Sequence, residues 1–200
     1  MRHRLPSSAP PSIDYHRQVP GWFDFEQVYD LLVASAHSGE AIVEVGCFQG
    51  RSTCYLASLA KRACKDLVVF AVDTFKGSPE QAGDPILPRL QEIFLRHIAA
   101  AGCLDIVRTI PLDSVTAASL FPDNSLASCF IDACHLFDAV QADILAWLPK
   151  IREGGILGGH DYLGPWLDVK TVVDALFPGA VTVVGQSWAV RVSQGRGRRL

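Results

Sequence analysis

The sequence predicts an α/β protein, a doubly wound three-layer sandwich around a mostly parallel seven-stranded sheet with an antiparallel last strand. Three observations carry this. Short apolar runs of strand length alternate with segments of helical spacing, in the order α-β-α-β-α-β-α-β-α-β-α-β-β. The run Leu67-Val68-Val69-Phe70-Ala71-Val72 has no polar break, the pattern of a strand buried on both faces of a parallel sheet. The last two runs, 181–184 and 188–192, are joined only by Gly185-Gln186-Ser187, a hairpin that puts an antiparallel edge on the sheet.

In chain order, residues 1–20 are rich in proline, serine and charge and are expected to be a flexible arm ahead of a domain at 21–193. Asp24, with Gln27 three residues on, is expected to cap a helix whose apolar face is Phe25, Val28, Leu32 and Ala36. Ala41 to Val45 is a buried strand interrupted by one carboxylate, Glu44. Gly46 and Gly50 bracket the turn that follows, and a helix begins at Arg51. The strand at 67–72 ends in Asp73, followed by Thr74 and Phe75. Gly77, Pro79, Gly83, Pro85 and Pro88 mark a loop, and Leu90, Ile93, Phe94 and Ile98 a helix stopped by Gly102. A third strand spans 105–110, and a short helix starts at Asp113-Ser114. The fourth strand, 126–132, ends in Asp132, and Ala133-Cys134-His135 is the turn into a long amphipathic helix. The fifth runs from Gly154 to Tyr162 and carries His160 and Asp161 at its end. A last helix, 168–176, leads to the hairpin, and 194–200 is a basic tail.

Composition narrows the classes. Two hundred residues with 49% apolar and 20% charged content suit one globular domain. A net charge of −3 gives no general attraction to nucleic acid or to an anionic membrane, and no apolar run reaches the ~18 residues of a membrane span. The six cysteines form no C-x-x-C pair, so a reduced, cytoplasmic protein without structural zinc is expected. The exposed character expected of Trp22-Phe23 suggests a homodimer contact.

In a doubly wound sheet, ligands sit beyond the carboxyl ends of the strands. Glu44, Asp73, Asp132, His160 and Asp161 all fall there. The glycine turn brings backbone N–H groups and a helix N-terminus to that edge, and Glu44 is expected to face a ligand or the turn's own amides, because a buried carboxylate needs donors. An acidic residue roughly twenty residues past such a turn, as Asp73 is, binds a ribose diol in nucleotide-binding α/β folds.

Glu44-Val45-Gly46, Gly50-Arg51-Ser52-Thr53, Ala71 to Phe75, Ile131-Asp132 with His135, and Gly154-Gly155 through Gly159-His160-Asp161-Tyr162 resemble, in this order, the class I S-adenosylmethionine-dependent methyltransferases. The likeness is greatest to the bacterial small-molecule and sugar O-methyltransferases that include macrocin O-methyltransferase, and it spans 21–193. It implies a Rossmann-like fold and S-adenosylmethionine as cofactor. Gly46 to Gly50 would pass under the amino acid part of the cofactor, with Glu44 beside it and Ser52 and Thr53 helping to bind its carboxylate. Asp73 would hold the ribose, Thr74 and Phe75 would lie next to it with Phe75 near the adenine, and Asp113 and Ser114 would flank the adenine edge. Phe48 departs from the usual glycine-rich turn. Related catechol-type enzymes hold a divalent cation with an Asp after the fourth strand and an adjacent pair after the fifth, here Asp132, His160 and Asp161. The histidine departs from the all-oxygen set that suits magnesium and accommodates manganese, iron or zinc.

The activity implied is O-methylation of a small hydroxylated acceptor, a sugar or natural product. Asp132, His135, His160 and Asp161 are the candidate catalytic groups, with either histidine as base or a cation in its place. Two other readings remain open here. A nicotinamide-dependent oxidoreductase would want a third glycine in the turn and a Tyr-x-x-x-Lys pair, and the sequence offers neither. An inactive nucleotide-binding scaffold would lack acid-base residues at the strand ends, and this chain has them.

Overall fold

The computed structural model describes residues 12–78 and 81–193, and the backbone of 196–198. The described residues form six α-helices: α1 (Glu26–Ser35), α2 (Arg51–Arg62), α3 (Leu90–Ala100), α4 (Ser114–Ala118), α5 (Phe137–Trp147) and α6 (Leu167–Leu176). The strands are β1 (Ala41–Val45), β2 (Val68–Val72), β3 (Val107–Ile110), β4 (Leu126–Ile131), β5 (Ile151–Gly159), β6 (Thr182–Val184), β7 (Ser187–Ser193) and β8 (Arg196–Arg198). They form one sheet in the order β3-β2-β1-β4-β5-β7-β6, with β8 paired to β7. β1 to β5 pair in parallel, and β7 runs antiparallel to β5, β6 and β8. The main sheet is the expected seven-stranded Rossmann-like one. β8 is an addition, in a stretch expected to be tail.

Strand alternation sorts side chains into two layers. On one face Ile42 joins residues of α1, α2 and α3. On the other, Val43 and Val45 join residues of α4, α5 and α6. Trp147, fully buried in the second layer, donates its indole N–H to Ser114 Oγ at 2.9 Å. No helix among the described residues is long and apolar enough to cross a membrane.

Two expectations change. Ile13–Gln18, placed in the arm, is a 3-10 helix. Its His16 is buried edge-on against Phe23 and Tyr55, and Val19 is buried beside it, so aromatic packing orders this part. The rest of the arm, 1–11, lies outside the described residues, as do 194, 195, 199 and 200 of the tail. Asp24 does not cap α1, whose N-cap is Phe25 with no side-chain hydrogen bond.

The strand order reverses between β1 and β4, and the two ends interlock there. The Asp132 N–H donates to the Val45 carbonyl at 2.8 Å, and the Gly46 N–H to the Val72 carbonyl at 2.9 Å. Gly46 has φ +86°, and a Cβ there would stand 1.8 Å from the Asp132 carbonyl oxygen. Glycine is what lets the β1 turn close over the end of β4.

Candidate active site

The turn after β1 is organised by Asp73. One of its carboxylate oxygens accepts from the N–H groups of Cys47 and Phe48, at 2.8 and 2.9 Å. The other accepts from the Phe75 N–H at 2.7 Å. A carboxylate offers about four acceptor sites, so the half-buried Asp73 retains capacity for a further donor. Thr74 Oγ1 accepts from the Lys76 N–H. Phe75, in a left-handed conformation at φ +54°, turns its ring into the core against Phe94. Phe48, also left-handed at φ +45°, sits 6.2 Å from the ring of Trp22, which is 80% exposed.

Glu44 faces neither the turn amides nor solvent. Alternation along β1 sends it toward α1 and α2, on the side of Ile42. It is fully buried, one oxygen accepting from Tyr29 Oη at 2.7 Å and the other from Thr53 Oγ1, with Ser52 as a further donor. Burial pushes its pKa up to about 7 against these three hydrogen bonds. Ser52 and Thr53 are therefore turned toward Glu44 within the protein, and Thr53 is fully buried. Tyr29 is a partner that sequence alone did not single out; as a polar residue on the apolar face of α1 it carried the only signal. Asp113 caps α4 by accepting from the Thr116 N–H, and Ser114 serves Trp147.

The second group lies at the ends of β4 and β5. His135 Nε2 is 2.9 Å from Asp161 Oδ2. The same carboxylate oxygen is 3.3 Å from His160 Nδ1, which is 3.9 Å from Asp132 Oδ1. His160 Nε2 contacts Asp24 Oδ1 at 2.8 Å, and Gln186 Nε2 donates to the other oxygen of Asp24. Burial disfavours an imidazolium at His160, but Asp161, Asp132 and Asp24 outweigh it and raise its pKa to about 9. Burial would raise Asp161, yet His135 and His160 hold it well below the usual carboxylate range. Asp132 is pushed up to about 6, by burial and by Asp161, against the pull of His160.

Ligand atoms of Asp132, His135 and Asp161 lie within 4.8 Å of one another, close enough to share one cation. This set contains His135 where the resemblance put His160, whose Nε2 is taken by Asp24. Asp24 stands 136 residues from His160 and looked like a helix cap. The glycines before His160 serve packing, since a Cβ on Gly159 would meet the Ile131 carbonyl oxygen at 2.6 Å and Trp188 Nε1 at 2.7 Å.

Residues 43–162, from β1 through both carboxylate groups, match the family described as methyltransferase domain. The chain belongs to that family. Among curated proteins, none matches it in sequence. The fold is shared with solved structures of low identity. The O-methyltransferase NovP superposes with a TM-score of 0.67 at 19% identity, covering 84% of this chain and 79% of that one. A cofactor-bound protein from MTB, Rv0187, gives 0.64 at 18%, covering 90% and 85%. CalS11, a TDP-rhamnose 3'-O-methyltransferase of calicheamicin biosynthesis, gives 0.60 at 16%, covering 83% and 76%. Family membership implies S-adenosylmethionine as methyl donor. The glycine turn, with the spare acceptor capacity of Asp73 at the reversal of strand order, fits such a ligand.

Proposed function

We propose that this methyltransferase uses S-adenosylmethionine to methylate a hydroxyl oxygen of a small molecule. The observation that carries the reading is the convergence of Asp132, His135, His160 and Asp161 at the ends of β4 and β5, beside the glycine turn of a methyltransferase domain. The O-methyltransferases among its structural relatives support it.

S-adenosylmethionine supplies an activated methyl group on a sulfonium. The protein must bind it, hold an acceptor oxygen in line with the methyl carbon, and take up the hydroxyl proton. Asp73 offers the acceptor for the ribose. Asp132 is the group suited to take the proton. With a pKa near 6 it is ionised at neutral pH, and 27% of its side chain stays open to the pocket. Asp161, held far lower, is a weaker base. His160, whose pKa Asp161, Asp132 and Asp24 raise to about 9, is a poorer candidate for the base than Asp132.

The carboxylates and imidazole of Asp132, Asp161 and His135 also fit a divalent cation, of a kind that accepts nitrogen as well as oxygen. A cation there would lower the pKa of an acceptor hydroxyl. The test is transfer of labelled methyl from S-adenosylmethionine to a panel of phenols, sugars, glycosides, amines and activated carbon acids, with chelator, Mg2+ or Mn2+. Transfer to oxygen, with kcat lowered on the order of 100-fold or more in Asp132→Asn, is the expected result. Transfer to nitrogen or carbon acceptors alone would refute it.

A further inference from the structure

The floor of the pocket is ionic, but its surroundings are not. Val140, Val169 and Trp188 line it together with the catalytic candidates. Trp166 lies flat on the His135 ring, with centroids 4.5 Å apart and planes 10° from parallel, and it remains 39% exposed. Large apolar side chains stand in solvent on either side of it in the chain: Leu136 and Phe137 at the start of α5, and Leu163 and Leu167 at the approach to α6. The two helix starts are tied together, because the Phe137 N–H donates to the Asp168 carboxylate at 3.1 Å. Leu136 follows the pocket-lining His135 in the chain, and Leu167 lies two residues before the pocket-lining Val169; exposed apolar side chains next to a polar pocket mark a binding surface.

Charge decides what kind of ligand fits. Residues 132–140 and 160–169 carry four aspartates, 132, 138, 161 and 168, and no lysine or arginine. The next cation in the chain, Lys170, is bound to Asp174 and Tyr162. A phosphorylated acceptor would bring anionic groups to a rim where four aspartates outnumber the two histidines, 135 and 160, and where no lysine or arginine of these segments could pair with a phosphate. A neutral ring would gain burial against Trp166 and its neighbours while its hydroxyl reached Asp132.

We propose that this rim binds the apolar body of the acceptor, which is an uncharged molecule carrying hydroxyls on a flat apolar framework, as a phenol does, and is not a sugar nucleotide. The proposal rests on the methyltransferase reading above and names its substrate class. Trp166 is then a specificity-determining residue.

The test is calorimetric binding to the full chain with S-adenosylhomocysteine present. The probes are 4-tert-butylcatechol and uridine diphosphate glucose, and the variants are Trp166→Ala and Leu167→Ser. The expected result is catechol binding at least about tenfold tighter than the sugar nucleotide. Trp166→Ala should weaken catechol binding about tenfold and leave S-adenosylhomocysteine affinity unchanged, which also shows that the variant folds. Tighter binding of the sugar nucleotide, catechol binding unaffected by both variants, or binding of neither probe beside intact S-adenosylhomocysteine binding would each overturn the proposal. Failure of the native chain to bind S-adenosylhomocysteine would instead defeat the methyltransferase reading, and the substrate class with it.

Discussion

Replacing Glu44 by glutamine should change how stability depends on pH. Glu44 is fully buried between α1 and α2, and its pKa rises from 4.5 in the unfolded chain to about 7 in the fold. Between those values the folded state holds a proton that the unfolded state has released. Native stability therefore falls as pH rises through that window, and the penalty is complete above about 7. At about 1.4 kcal/mol per pH unit, the difference is roughly 3 kcal/mol. Glutamine resembles the protonated acid and does not titrate; its oxygen accepts from one of the Tyr29 and Thr53 hydroxyls, and its amide N–H donates to the other. Two other carboxylates, the partly buried Asp132 and the buried Asp143, are also raised, to about 6 each, and contribute in the lower part of the window. The quantity to measure is therefore the difference between native protein and Glu44→Gln, by urea denaturation from pH 4.5 to 8.5. Glu44→Gln should gain roughly 3 kcal/mol relative to the native chain between pH 4.5 and 8.5, or on the order of 6–12 °C in melting temperature. Parallel curves across this range would show that Glu44 is not buried as an acid with a raised pKa.

Other perturbations test the interlocked strand ends and the charge network. Gly46→Ala puts a Cβ 1.8 Å from the Asp132 carbonyl and forces φ +86° on alanine. It should destabilise the fold by roughly 4 kcal/mol or more, read by chemical denaturation, and a loss below about 1 kcal/mol would contradict so close a crossing. Asp24→Asn removes a charge from His160 but keeps an oxygen at the same place. The imidazole titration followed by NMR should drop below its midpoint of about 9, and an unmoved midpoint would show that Asp24 does not act on it. For metal, calorimetry should find Mn2+ bound more tightly than Mg2+, with His135→Ala weakening Mn2+ binding by about tenfold or more. Equal affinities that ignore His135 would remove it from the ligand set.

Local pattern made the architecture readable. The glycine turn, the uninterrupted apolar strand at 68–72 and the terminal hairpin each depend on residues near in sequence. The carboxylates at strand ends were legible for the same reason, since a strand's end fixes where its last side chain lies. What each one bonds to was not. Glu44 turns to Tyr29, which reaches it from another element, and the turn amides it was expected to meet belong to Asp73. Asp24 and His160 meet only because the chain ahead of α1 folds over β5, a contact that no spacing encodes. Trp166 likewise reads as an ordinary loop aromatic until its ring is seen on His135. β8 is three residues with no apolar pattern of its own, and it pairs because β7 leaves an open edge.

On the proposed reading, the turn after β1, fastened by Asp73, holds the adenosyl cofactor. Calorimetric titration of S-adenosylhomocysteine into the native chain and into Asp73→Ala, with NAD as control, tests it most directly. Binding to the native chain alone, with no heat from NAD and with Asp73→Ala still folded by circular dichroism, is the expected result. Binding of NAD instead, or S-adenosylhomocysteine binding that survives the loss of Asp73, would contradict it.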